Sequence, residues 1–255
     1  MKNSAPDFLL IDIGNSRIKW ATARARGPIR IAGEVATKQA SPARIAALAR
    51  KYPGHLAVLA CVVPKLLPAF RRAFAGRLIE VGASLPGLGL RLQYPKPGEI
   101  GADRLAAAVA AHEAGKWPVI VVSCGTATAF TVLDAKGRLC GGVIAPGLHT
   151  QLAALLGATA QLPDTVLQPP RSALAKSTRE AIRAGVALNF HGGAKEILHR
   201  LNEALPGHKK PHILITGGNA GHLAKNLDLP HTLRPLLIME GLRIIGNRTS
   251  TPPTE

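Results

Sequence analysis

Apolar positions along this chain follow two periods. In FLLIDI (8–13), LAVLACVV (56–63) and VIVV (119–122) they run almost without a break, the pattern of strands covered on both faces. In SPARIAALAR (41–50), Ile45, Leu48 and Ala49 recur at helical spacing, and GADRLAAAVAAHEAG (101–115) is an Ala-rich helix. Laid end to end, these segments predict an α/β protein. Residues 8–13 and 17–23 form a hairpin, and a third strand covers 30–36. Pro42 opens a helix through Arg50, a strand covers 56–63, and Pro64 opens a helix through KLLPAFRRAFAG. Residues 82–100 are rich in Gly and Pro and read as a long loop before the helix at 101–115.

The pattern then restarts at Val119. Strands over 119–123, 127–133 and 139–145 form a meander, followed by a helix near 148–157 and a polar, Pro-containing excursion over 158–176. Ser177-Thr178-Arg179-Glu180 matches a capping box, in which Ser caps an amide and Glu reaches back to the cap. A long helix to about Ala204, a strand over 212–218, a last helix in PLLIMEGLRIIG and a frayed tail, TSTPPTE, complete the reading. The restart divides the chain into two α/β halves, 1–115 and 116–255.

Composition narrows this picture a little. Apolar residues make up 47% and aromatics only 4%, so the core rests on Leu, Val, Ile and Ala. The net charge of +17 is spread evenly, with 17 of the 32 basic residues before position 116, and no basic run resembles a nucleic-acid arm. The charge therefore reads as a solvated basic surface, and no specific nucleic-acid partner is expected. Cys61, Cys124 and Cys140 lie in apolar surroundings and form no CxxC pair, which argues against a disulfide framework or a zinc site and fits a reducing compartment. No run approaches about 18 apolar residues. The expectation is a soluble cytoplasmic protein without a membrane partner.

The candidate chemistry lies in a phrase that occurs twice. FLLIDIGNSRIKWATA and VIVVSCGTATAFTVLD each run strand, Gly-containing turn, strand, with Gly14 and Gly125 separated by 111 positions (125 − 14). In the first, Asp12 ends a buried strand, a poor place for a carboxylate unless a metal, a hydrogen-bond network or a cleft receives it. Gly14, Asn15 and Ser16 offer amides and side-chain donors to phosphate oxygens, and Lys19 adds charge. A plain hairpin turn would use the same residue types; the repetition around Ser123, Gly125 and Thr126 favours a polyphosphate held by two loops facing one cleft. Asp103 opens the helix after a Gly-rich loop. It could be an ordinary N-cap, or a general base taking a proton from an attacking hydroxyl, with Arg104 beside it to pair with a substrate carboxylate. Gly217 and Gly218 in ITGG (215–218) would let a flat ring approach the backbone, and an ordinary strand–helix turn explains them equally well. None of the nine histidines has metal-ligand spacing; His112, His191 and His199 read as surface or packing residues.

DIGNSRIK (12–19), YPKPGEIGADR (94–104), CGTAT (124–128), GGVIAPG (141–147), STREAIRAG (177–185) and ITGG, in that order, resemble the type III pantothenate kinases. The resemblance runs from about Leu9 to Gly246. It implies two duplicated ribonuclease-H-like domains of the actin–hexokinase plan around a nucleotide cleft, one over 1–115 and one over 116–255. It implies ATP-dependent phosphorylation of pantothenate to 4'-phosphopantothenate, the first step toward coenzyme A. The segment Asp12, Ile13, Gly14, Asn15, Ser16, Arg17, Ile18 and Lys19 would be the first ATP-phosphate loop, with Asp12 near Mg2+. Gly125 and Thr126 would contact phosphate in the second loop. Asp103 would be the general base, and Tyr94, Gly101, Ala102, Asp103, Arg104 and Thr178 would contact pantothenate. The family is typically homodimeric.

One position departs from the family pattern. Ser123 stands where an Asp usually helps bind a monovalent cation, K+ or NH4+, so a weakened K+ dependence is expected. Two rival readings are a kinase for another small hydroxylated acceptor and a catalytically weakened relative acting as a regulatory accessory factor. The former should lack the combination of Tyr94, the GADR segment and Thr178.

Overall fold

The computed structural model describes residues 7–207 and 209–250. Contacts divide the chain into two compact units. The first holds residues up to Lys116, Gly137–Cys140 and the chain from Leu236 onward; the second holds Trp117–Lys136 and Gly141–Pro235. A single cut at residue 115 would instead leave the last helix with the second half.

The first unit is built on β1 (Phe8–Ile13), β2 (Arg17–Ala23), β3 (Arg30–Ala36), β4 (Leu56–Cys61) and β5 (Leu78–Glu80), in the order β3-β2-β1-β4-β5. β1 pairs antiparallel with β2 and parallel with β4. Successive side chains of β1 point to opposite faces. Leu9, Ile11 and Ile13 enter a core cluster with Ile45 and Ala49 of α1 (Pro42–Lys51) and Phe70 of α2 (Leu67–Ala73). Full burial of side chains such as Phe70 contributes roughly 1.5–3 kcal/mol each.

Phe8, Leu10 and Asp12 occupy the other face, where α7 (Leu237–Ser250) packs; a Cβ at Gly246 would press on Phe8 and Val58. α3 (Ala102–Glu113) is buried along nearly its whole length. It approaches α7 so closely that a Cβ at Gly241 would overlap the Ala106 carbonyl. Gly241 on α7, together with the small side chains of α3, permits this close crossing.

The second unit repeats the plan. β6 (Val119–Cys124), β7 (Ala127–Leu133), β8 (Leu139–Pro146), β9 (His212–Thr216) and β10 (Thr232–Leu233) are ordered β10-β9-β6-β7-β8. β6 pairs antiparallel with β7 and parallel with β9, as β1 does with β2 and β4. The helices are α4 (Leu148–Gly157), α5 (Thr178–Ala204) and α6 (Ala220–Ala224). The expected duplication of a ribonuclease-H-like α/β plan is therefore the observed fold class.

Local differences from the sequence reading have physical causes. β4 stops at Cys61, and Pro64–Leu66 form a 3-10 turn before α2 begins at Leu67. At the start of α5, Ser177 Oγ accepts from the Glu180 amide at 3.3 Å, but the Glu180 carboxylate takes Arg183 at 2.7 Å rather than reaching back to the cap, so the capping box is half formed. Residues 158–176 lack regular structure, as expected. Thr249 and Ser250 of the supposed frayed tail are helical, their hydroxyls donating to the carbonyls of Ile245 and Gly246; residues 251–255 lie outside the described residues. Among the described residues no helix is long and apolar enough to cross a membrane.

Candidate active site

Asp12 is set by strand register. It lies opposite Lys19 on β2 and Ala60 on β4, on the sheet face that receives α3 and α7. Burial, then the charge of Asp103, pushes its carboxyl up to about 7, with Lys19 opposing the rise. The two carboxylates are thus electrostatic neighbours: the C-terminal end of β1 and the first turn of α3 are brought to one place in the first unit.

Asp103 is not the helix cap. Gly101 is the N-cap residue, with no side-chain cap bond, and Asp103 sits in the first turn. Its Oδ1 accepts the Arg104 amide at 2.8 Å. Burial raises its pKa, while that amide and the Arg104 charge pull it down. A Cβ at Gly101 would lie only 2.7 Å from Asp103 Oδ1, so glycine there leaves the carboxylate its position. Arg104 is 7% exposed, and Ala102 is also buried. Tyr94 is half-buried in the long loop of the same unit.

The first turn is closed by the Gly14 amide donating to the Arg17 carbonyl at 3.0 Å. Gly14 is half-buried, and Asn15, Ser16 and Arg17 are exposed. Arg17 is paired with Glu34, and the side chains of Ile13 and Ile18 belong to the apolar cluster, so those two isoleucines offer only backbone to a ligand. Thr37, which the sequence reading did not single out, fixes the turn from behind: its Oγ1 donates to the Gly14 carbonyl at 2.7 Å and its amide to the Ser16 carbonyl at 3.0 Å.

In the second unit the turn is shorter. The Gly125 amide donates to the Ala127 carbonyl at 3.0 Å, and Gly125 and Thr126 are exposed. Its carbonyls are held by neighbours. The Gly147 amide and Thr150 Oγ1 donate to the Thr126 carbonyl at 2.9 and 2.5 Å, and the Asn219 amide donates to the Cys124 carbonyl at 3.0 Å. A Cβ at Gly147 would overlap the Gly125 carbonyl, and one at Gly217 the Cys124 carbonyl; Gly217 also has φ +98°. Gly217 is therefore explained by packing alone, whereas Gly218 has open space on its Cα. Ser123 is half-buried between Ala129 and Thr216. Thr178 is exposed at the start of α5.

The histidines expected on helices are occupied structurally. His112 Nδ1 lies 2.9 Å from the Gly137 carbonyl, His191 Nε2 lies 3.1 Å from the His222 carbonyl, and His199 pairs with Glu203. Burial pushes Cys124 up to about 12, the behaviour of an inert core thiol. Among the described residues no group of three or more His, Cys, Asp or Glu could by itself hold a metal ion. Two part-buried carboxylates with raised pKa values are nevertheless a donor set that suits a hard divalent cation completing its shell with phosphate oxygens and water.

Comparison with known proteins shows the family of the chain. The family model described as type III pantothenate kinase matches residues 8–200. A type III pantothenate kinase of Methylacidiphilum infernorum is 35% identical over 239 residues, covering 94% of this chain and 88% of the relative. One from Rhodospirillum rubrum is 37% identical over 195 residues, 75% of each chain. Among solved structures, a Campylobacter jejuni protein described as a Baf family transcriptional activator superposes with a TM-score of 0.63 at 19% identity, covering 93% of this chain and 96% of that one; at that identity the likeness speaks for the fold.

Proposed function

The chain belongs to the type III pantothenate kinases and phosphorylates pantothenate in coenzyme A biosynthesis, and we propose that Asp103 is the general base that accepts the proton of the attacking hydroxyl. The observation that carries this is the placement of Asp103 beside Asp12, in the first turn of a helix, with its pKa raised by burial. A base works best when its pKa is drawn toward the operating pH. The amide of Arg104 donates to Oδ1 and so fixes the orientation of the carboxylate that takes the proton.

Asp12 holds Mg2+ next to the phosphates, directly or through water. The metal supplies charge neutralisation of the transferring group. Gly14, Asn15, Ser16 and the backbone of Ile13, Arg17 and Ile18 contact phosphate oxygens, with Lys19 adding positive charge. Gly125 and Thr126 contribute contacts from the second unit. Tyr94, the Gly101–Arg104 segment and Thr178 bind pantothenate. Within that segment the burial of Arg104 supports a role in holding the Asp103 carboxylate as well as in attracting the substrate carboxylate. Ser123 is a neutral ligand at the K+ position, and a neutral hydroxyl beside Ala129 supports weak monovalent-cation dependence.

The two units act as the two domains of the kinase in a cytoplasmic homodimer. Exposed Ile144 and Leu188 of the second unit supply apolar surface that a second copy would cover. The pH dependence of kcat/KM for pantothenate tests the base assignment. The wild type should show a rising limb whose apparent pKa lies above the ordinary carboxylate range and belongs to the Asp12–Asp103 pair. A limb unchanged in Asp103→Asn would remove Asp103 from the role.

A further inference from the structure

On the face of the first sheet opposite Asp12, an open cavity of about 300 Å³ lies between β2, β3 and α1. That volume is at the lower end of the range usual for small-molecule sites, roughly 300–1,000 Å³. Its walls are apolar: Ile18, Trp20 and Leu48 line it, with Phe70 of α2. Arg44 and Lys51 of α1 complete the lining with their aliphatic stems, their charged ends reaching out toward solvent beside it, and no acidic side chain lines it. They stand seven positions apart, two helical turns, and so share one side of α1. Both are exposed, and Arg44 also reaches Gln39 Oε1 at 3.4 Å.

The strand beneath is shaped to form this cavity. Pairing of β2 with β3 shifts register between Trp20 and Ala21, and the Trp20 indole lies on Gly33, where any Cβ would overlap the ring. A bulge beside a strand glycine is a usual device for re-aiming a side chain. Trp20 Nε1 is buried and has no hydrogen-bond partner among the described residues, although buried indole N–H groups usually find one. Apart from Ile18, whose side chain points away from Asp12, none of these residues has a role in the proposed kinase site.

We propose that this cavity binds a medium-chain aliphatic carboxylate, its tail against Ile18, Trp20, Leu48 and Phe70 and its anionic head between Arg44 and Lys51. The apolar walls select the tail and the paired cations select the sign of the head, so an alcohol of equal length should bind more weakly and an alkylammonium weakest of all.

Calorimetric titration of the full-length chain with decanoate, decanol and decylammonium, each below its micelle concentration, tests this. The expected result is saturable decanoate binding at one per chain. Charge reversal at two exposed positions, Arg44→Glu with Lys51→Glu, should weaken decanoate at least tenfold, leave decanol unchanged and leave pantothenate kinase turnover without amphiphile unchanged. Ala47→Trp, which fills the mouth from α1, should block both. Absence of saturable decanoate binding would overturn the proposal. So would equal affinity for decanoate and decylammonium, or decanoate binding that the charge reversal does not move in a protein shown to be folded by circular dichroism.

Discussion

In the β1–β2 turn, Asp12 stands opposite Lys19, two residues before Gly14; in the β6–β7 turn, Ser123 stands opposite Ala129, two residues before Gly125. The strand pairing is the same and the chemistry is not. The first turn carries a charge pair and a carboxyl raised to about 7, while the matching positions of the second are neutral. Support is distributed the other way. The first turn is held from behind by Thr37, and the second by Gly147, Thr150, Asn219 and the close approach of Gly217. A duplicated fold thus carries one turn that bears the charges and one whose backbone is braced by more neighbours.

The division can be broken at its strongest point by giving the first turn the residue of the second. Asp12→Ser should lower turnover by about 10²–10³-fold, the range for losing one preorganised electrostatic contact at a reacting centre. Steady-state ADP release at saturating substrates reads this. A loss of less than fivefold would show that the charge in the first turn is dispensable.

Rigidity is tested next. Gly147→Ala places a methyl on the Gly125 carbonyl, so the second turn must move. Overpacking of this kind costs about 1–3 kcal/mol, and KM for ATP should rise roughly tenfold. Gly14→Ala is milder sterically, because its Cβ would meet only the Arg17 carbonyl at 3.3 Å. Equal effects of the two substitutions would contradict the contrast.

Between about pH 4 and pH 8, of the two turns only the first should impose a pH dependence on stability. Asp12 has a folded pKa of about 7, well above the ordinary aspartate value of 3.8, so the folded chain binds the proton more tightly than the unfolded one. Its contribution to stability is full below about pH 4 and is lost as pH rises through about 7. At about 1.4 kcal/mol per unit, the loss is a few kcal/mol. Urea unfolding without nucleotide should show Asp12→Asn more stable than wild type at pH 8 and closer to it at pH 4. Identical stability differences at the two pH values would remove the burial cost from Asp12.

The smallest expected effect is at Ser123. Exchange of Na+ for K+ should change wild-type turnover by less than about twofold, and Ser123→Asp should introduce a saturable K+ response by restoring a charged oxygen for the ion. Strong K+ activation of the wild type, lost on Ser123→Ala, would show that a hydroxyl suffices there.

Much of this was legible in the sequence because the signals are local. The uninterrupted apolar runs locate β1, β4 and β6, and the repeated Gly turn locates both loops. β5 and β10, with three and two residues, are too short to carry a period. The grouping of α7 with the first unit depends on contacts across the chain: Gly241 on Ala106 and Gly246 on Phe8 leave no local mark beyond the glycines themselves. The candidate site divides in the same way. Asp12 and Asp103 stand out by residue type beside a turn and a helix start, but their proximity follows from which face of β1 receives α3. Thr37 and Gly147, which hold the turns, act through hydrogen bonds to the turn carbonyls and close approaches that sequence spacing does not encode.

The most direct test of the central claim is the turnover of Asp103→Asn beside that of wild type, by pantothenate-dependent ADP release, with thermal unfolding as a control for folding. The account predicts a fall in kcat of about 10²–10⁴-fold, the usual contribution of a positioned general base, with pantothenate affinity and Tm retained. Near-normal kcat in a folded Asp103→Asn protein would contradict it.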